Sequence, residues 1–268
     1  MSEKKLALVT GASRGIGRQI ALGLADDGHK VIAVSRSAME TSDLSASQKS
    51  LIISIRGDVS DASFIERLEK QVSKEHGVVQ ILVNAAGVFG PIDLVHKSDP
   101  AQWTQTIVID AIAPYYTAHY FLPAMLKSKW GRIINLSSAA ALHPPGPLNS
   151  AYGTSKVALN QLTRHIAAEI TGSGVTANVI HPGDVRSDMW ADISASADAL
   201  GEAGADYKSW VDWVEKTGGD DPKKAGQLIL KLVSDESAAV NGRFCWIDNP
   251  LQEPIPSWDD PTDERPWI

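Results

Sequence analysis

The chain has 268 residues and a formal net charge of -7, with its lysines and arginines scattered, which argues against nucleic acid as a partner. The single cysteine, Cys245, excludes an internal disulfide and a cysteine-based zinc site, so no metal is assigned and a reducing compartment suits the chain. No secretory pattern follows Met1 and no apolar run approaches the roughly 18 residues of a membrane span, so a cytoplasmic protein is expected.

Leu6-Ala7-Leu8-Val9-Thr10 is a nearly all-apolar run that ends in glycine, and residues 16–27 form an amphipathic stretch that closes at Gly28. Continuous apolar strands separated by helices signal a parallel sheet buried on both faces. The pattern repeats: Lys30-Val31-Ile32-Ala33-Val34 reads as a second strand, residues 51–55 as a third, 64–75 as a helix and Gln80-Ile81-Leu82-Val83-Asn84 as a fourth strand. A long helix over residues 101–127 leads into a fifth strand, Arg132-Ile133-Ile134-Asn135-Leu136, and a further helix over 152–169. Residues 175–180 give a sixth strand and 243–247 a seventh. The expectation is a single doubly wound α/β domain of Rossmann type with a mostly seven-stranded parallel sheet over 1–248, binding ligands at the carboxyl ends of the strands.

Two stretches carry chemistry. In Thr10-Gly11-Ala12-Ser13-Arg14-Gly15-Ile16-Gly17, glycines between a strand and a helix let the backbone turn tightly and approach a pyrophosphate at the helix N-terminus. Their spacing differs from the common dinucleotide fingerprint, in which one residue separates the first two glycines. In Tyr152-Gly153-Thr154-Ser155-Lys156 the phenol and the ammonium are four residues apart, on one face of a helix. A neighbouring cation favours phenolate and draws the tyrosine toward the range where a general acid or base works.

With Asn84-Ala85-Ala86-Gly87 and Ser138 between them, these motifs resemble those of the short-chain dehydrogenase/reductase family, in its order and approximate spacing from Leu6 to about Ile247. The resemblance implies an NAD(P)-dependent enzyme acting on CH–OH groups. It implies that Ser138 holds the substrate oxygen, Tyr152 transfers the proton, and Lys156 lowers the tyrosine pKa and holds the nicotinamide ribose. Gly11, Ser13, Arg14, Gly15, Ile16 and Gly17 would cradle the cofactor, Asn84, Ala85 and Gly87 would support its ribose and the central sheet, and Asp58 and Val59 would contact adenine. Pro182, Gly183, Val185 and Ser187 resemble the loop that orients the nicotinamide, with Ser187 where the family usually carries threonine. The family's catalytic asparagine is replaced by Asp110. In the resemblance that residue's carbonyl holds a water linked to the lysine, and if the helix is regular, Pro114 leaves the Asp110 carbonyl without its usual partner. The side chain would favour the ammonium of Lys156 and oppose the phenolate of Tyr152, giving an alkaline-shifted enzyme, unless it faces away and only bonds a backbone N–H.

At the end of the second strand, where an acidic residue would repel a 2′-phosphate, stands Ser35, followed by Arg36. Arg36 and Arg14 could converge on that phosphate, so NADP(H) is the expected cofactor. The expected substrate is a small carbonyl compound or alcohol, as in a 3-oxoacyl reductase or a general ketone reductase. Open alternatives are an NAD-linked sugar or polyol dehydrogenase, and a dinucleotide-binding sensor or structural protein impaired by Asp110. Residues 188–221 read as a lid with Trp190, Tyr207, Trp210 and Trp213 as anchors, or as aromatic residues packing a surface helix pair. His143 is a candidate substrate contact in a stiff loop with Pro144, Pro145 and Pro147. The Pro- and Trp-rich tail 249–268 is expected to pack on its own domain or across the interface of a homo-oligomer, a tetramer or dimer.

Overall fold

The structure, a computed structural model, describes residues 4–142 and 145–248. The expectations for His143, Pro144 and the 249–268 tail lie outside the described residues. Strands β1 (Leu6–Thr10), β2 (Lys30–Ser35), β3 (Ile52–Arg56), β4 (Ile81–Asn84), β5 (Gly131–Leu136), β6 (Val175–His181) and β7 (Phe244–Trp246) form one parallel sheet in the order β3-β2-β1-β4-β5-β6-β7. Strand order reverses between β1 and β4, so a crevice opens at their carboxyl ends, where Thr10 pairs with Asn84.

Both faces of the sheet are covered, and side-chain alternation decides which residue goes where. Ala7, Val9, Val31, Ala33, Ile81 and Val83 enter one core with Ile20 and Leu24 of α1 (Gly15–Asp26). Leu6, Leu8, Ile32, Val34 and Leu82 enter the other with Ile65, Leu68 and Val72 of α3 (Ala62–Glu75). A short α2 (Ala46–Leu51), capped by a reciprocal Ser45–Gln48 pair, occupies a stretch for which the sequence suggested no element.

The expected continuous helix over 101–127 is a correction. It divides into α4 (Pro100–Ile107), a π-helical turn at Val108–Ile112 and α5 (Ala113–Ser128). Pro114 has no N–H and its ring crowds the carbonyl of Asp110 in a regular helix; the wider turn, in which Ala113 N–H donates to the Val108 carbonyl, absorbs the conflict. The regular geometry from which a free Asp110 carbonyl was expected is therefore not present.

Helix α6 (Ser150–Glu169) lies against this π turn. Four buried side chains fix their relation: Thr117 donates to Asn84 Oδ1, Asn84 Nδ2 to Asn135 Oδ1, and Asn135 Nδ2 to Thr163 Oγ1, each at 2.8 Å. Satisfied buried polar networks of this kind hold elements in one arrangement. Beyond β6, α7 (Asp188–Leu200) and α8 (Ala205–Thr217) stand over the crevice side, and α9 (Lys223–Val233) packs on α1 through Ala225, Leu228, Ile229 and Leu232. No described helix is long and apolar enough to cross a membrane.

Candidate active site

The crevice between β1 and β4 opens into a cleft of about 490 Å³ whose walls include Gly11, Ser13, Arg14, Gly15, Ile16 and Gly17. Gly11, at φ +67°, has no room for a side chain, because a Cβ would stand 2.7 Å from the Ala86 backbone. A Cβ on Gly17 would meet the Gly11 carbonyl oxygen, so the turn closes only with glycine there. The facing loop is tied to β1 by Thr10, whose hydroxyl accepts from the N–H groups of Ala85 and Ala86 at 3.1 Å. Ser35 and Arg36 end the cleft on one side with Asp58 and Val59, while Pro182 and Ser187 border it near α7. A glycine-lined trough at a helix N-terminus, with an exposed arginine and a lysine in its walls, fits a dinucleotide.

At the inner end of the cleft lie Tyr152 and Lys156, 9 % and 4 % exposed, on one face of α6. Asp110 joins them, fully buried on the π turn. Lys156 Nζ sits 3.1 Å from Asp110 Oδ2, donates to the Leu136 carbonyl at 3.1 Å, and lies 5.2 Å from the centre of the Tyr152 ring. The other carboxylate oxygen of Asp110 accepts the Val88 N–H at 2.9 Å. The side chain therefore faces Lys156 and does not turn away from it, while it also accepts a backbone N–H. Ser155 Oγ is 3.3 Å from Oδ2, but its proton has a closer acceptor in the Tyr152 carbonyl at 2.7 Å. Gly87 packs over the pair, where a Cβ would come 3.5 Å from Asp110 Oδ1 and 3.6 Å from Lys156 Nζ.

Burial raises the Asp110 pKa, opposed by Lys156 and the Val88 N–H. Burial is the largest influence and works against the Lys156 ammonium, but Asp110 and Tyr152 together outweigh it and raise that pKa. With a lysine partner and an N–H donor both directed at it, Asp110 is held as the anion. Tyr152 is raised first by burial, which Lys156 opposes, while Asp110 and Asp184 push the same way as burial and a Ser138 hydrogen bond pushes back. Lys156 pulls the phenol's pKa down, but burial and two carboxylates outweigh it, so the expected move toward the neutral range is corrected to a rise.

Other expected residues take varied places. Ser138 reaches Tyr152 while its hydroxyl also accepts from Ala140 N–H at 3.2 Å, capping a short 3₁₀ turn. Asn84 lies beneath the cleft, its amide occupied inside the sheet network, whereas Ala85 and Gly87 line the wall. Gly183 and Val185 form the supporting loop behind Pro182 and Ser187: Gly183, at φ +91°, packs on Asp220, and Val185 bridges to Gly219. Arg14 is ion-paired across the cleft mouth with Asp188 at 2.9 Å. Sequence reasoning missed Phe89, which stacks on the Tyr152 ring at 4.6 Å, and Thr10, whose hydroxyl at the end of β1 was the one available signal.

The family model for short chain dehydrogenases matches residues 5–198. The chain is 34% identical to the 2-keto-3-deoxy-L-fuconate dehydrogenase of Xanthomonas campestris over 91% of this chain and 79% of that protein. It is 33% identical to the 3-oxoacyl-(acyl-carrier-protein) reductase FabG of Escherichia coli, over 92% and 96% of the two chains. The crystal structure of the KRED1-Pglu enzyme superposes with a TM-score of 0.79 at 28% identity, covering 90% of this chain and all of that one. The chain belongs to the short-chain dehydrogenase/reductase family and is an NAD(P)-dependent oxidoreductase acting on CH–OH or carbonyl groups.

Proposed function

We propose that the protein is an NADP(H)-dependent oxidoreductase that interconverts a ketone or aldehyde with its alcohol. The observation that carries this reading is the buried Tyr152–Lys156–Asp110 group at the inner end of a glycine-lined cleft. Bound nicotinamide supplies or accepts the hydride. Ser138 donates a hydrogen bond to the carbonyl oxygen, and Tyr152 gives the proton that neutralises the oxygen as negative charge develops there. Lys156 has two of its three donors committed, to Leu136 and Asp110, and turns the third to the ribose at the cleft it lines. Asp110 anchors that lysine.

The preference for NADP rests on Arg36, exposed in the cleft wall directly after Ser35, which ends β2 without a carboxylate of its own. Arg14 joins it by exchanging its exposed partner Asp188 for the phosphate. Steady-state reduction of a carbonyl panel with NADPH and with NADH tests the cofactor assignment. NADPH is preferred in the native protein, and Arg36→Asp reverses or abolishes that preference. An unchanged ratio refutes the role of Arg36, and NADPH binding without turnover refutes the enzyme reading. Apolar side chains left exposed on the central helices, Ile112, Tyr115 and Val157, support a homo-oligomer, and the lone buried Cys245 suits the cytoplasm.

A further inference from the structure

Asp184 stands in the loop after β6, two residues past Pro182 and three before Ser187, both of which line the cleft. Its main chain is fixed twice by Asp220: Asp184 N–H donates to Asp220 Oδ2 at 3.0 Å, and its carbonyl accepts from Asp220 N–H at 2.9 Å. The carboxylate accepts the indole N–H of Trp210 at 3.2 Å through Oδ1. An ionised carboxylate offers about four lone-pair positions, and the indole fills one. No ion pair neutralises Asp184 among the described residues, and its charge acts on Tyr152.

Helix α8, which holds this carboxylate through Trp210, also reaches an aromatic wall. Phe89 stacks on the Tyr152 ring at 4.6 Å, and Tyr207 meets Phe89 edge-on at 6.0 Å. Tyr207 and Trp210 are three residues apart on α8, so one helix contributes to both the apolar wall and the clamp on Asp184. The surrounding segment 184–221 carries ten carboxylates against three cations. Two of those cations are committed, Arg186 to Glu215 at 2.9 Å and Lys208 to Asp198 at 3.1 Å. This segment, which borders the cleft through Ser187, Asp188, Met189 and Asp192, therefore has little positive charge to offer an anion.

We propose that Asp184 is the specificity-determining residue of this site: its carboxylate accepts a hydroxyl or ammonium donor from a neutral or cationic carbonyl compound whose planar, apolar part rests on Phe89 and Tyr207. Carbonyl compounds bearing a carboxylate or phosphate are rejected by the same charge. The proposal rests on the carbonyl-reductase reading above and narrows its substrate class.

The test uses pairs of aryl ketones with one skeleton, carrying an aminomethyl or hydroxymethyl group in one member and a carboxylate in the other, reduced at saturating NADPH. The native protein shows a kcat/KM at least about tenfold higher for the donor-bearing member, expressed mainly in KM. Asp184→Asn, which keeps an acceptor for Trp210, shrinks the ammonium-over-carboxylate ratio by about tenfold or more, and Asp184→Lys inverts it. A native preference for the carboxylate, or the same ratio in the native protein and in Asp184→Asn, overturns the assignment while leaving the reductase reading intact. No turnover of either member or of simple ketones overturns both.

Discussion

Replacing Asp110 with asparagine removes one negative charge while leaving an oxygen to accept the Val88 N–H. The 3.1 Å contact to Lys156 and the 5.2 Å from Nζ to the Tyr152 ring put the carboxylate within about 8 Å of that ring. At an effective dielectric near 20, two unit charges at about 8 Å interact by about 2 kcal/mol. The sign follows from the charge: the Asp110 anion disfavours phenolate, so its removal lowers the Tyr152 pKa. In the reductive direction Tyr152 acts as the acid, and activity is lost as pH rises through its pKa. Asp110→Asn therefore loses kcat/KM for reduction at a lower pH than the native protein, and in the oxidative direction its activity rises at a lower pH. The assay is the pH dependence of kcat/KM in both directions by nicotinamide absorbance, with a thermal melt confirming that the variant is folded. Superimposable basic limbs refute the electrostatic role of Asp110.

Two further outcomes follow from the same geometry and a third from the composition of the tail. Gly17→Ala places a methyl against the Gly11 carbonyl oxygen, which cannot move without opening the turn, so NADPH affinity falls at least tenfold in a fluorescence titration while the far-UV spectrum is retained. Lys156→Met leaves Asp110 buried without its cation, and breaking a buried pair in this way costs about 3–5 kcal/mol, seen as a lower midpoint in urea. Truncation after Asp248 changes oligomer mass in sedimentation or changes the kinetics; an unaltered protein would make the tail incidental.

The sheet was legible because each strand is a short apolar run closed by a polar or glycine residue, as in Leu6–Thr10 and Ile81–Asn84. The seven strands lie where the apolar runs put them, within a residue or two. Helix irregularity was harder to read. The periodicity over Ile107 to Ala113 is continuous, and only Pro114 signals a conflict, which the chain resolves by widening the turn around Asp110. Helix α2 escaped because its six residues fully bury no side chain and are held by the Ser45–Gln48 cap and the Gln48–Asp26 hydrogen bond to α1. The Tyr152–Lys156 spacing was visible, and so was the departure at Asp110, but their shared burial was not, because it depends on a long-range packing of α6 on the π turn. Phe89 had no local pattern, and Asp184 was read only as part of the loop over 182–187; their contacts come from Tyr207 and Trp210 on α8, far along the chain.

The most direct test of the account is reduction of simple aryl ketones by NADPH in the native protein and in Tyr152→Phe, with cofactor binding measured in both. The account predicts alcohol product from the native protein, NADPH affinity kept in the variant, and kcat lowered by about 10²–10⁴-fold, the share general acid catalysis supplies. Tyr152→Phe turning over at the native rate would contradict it.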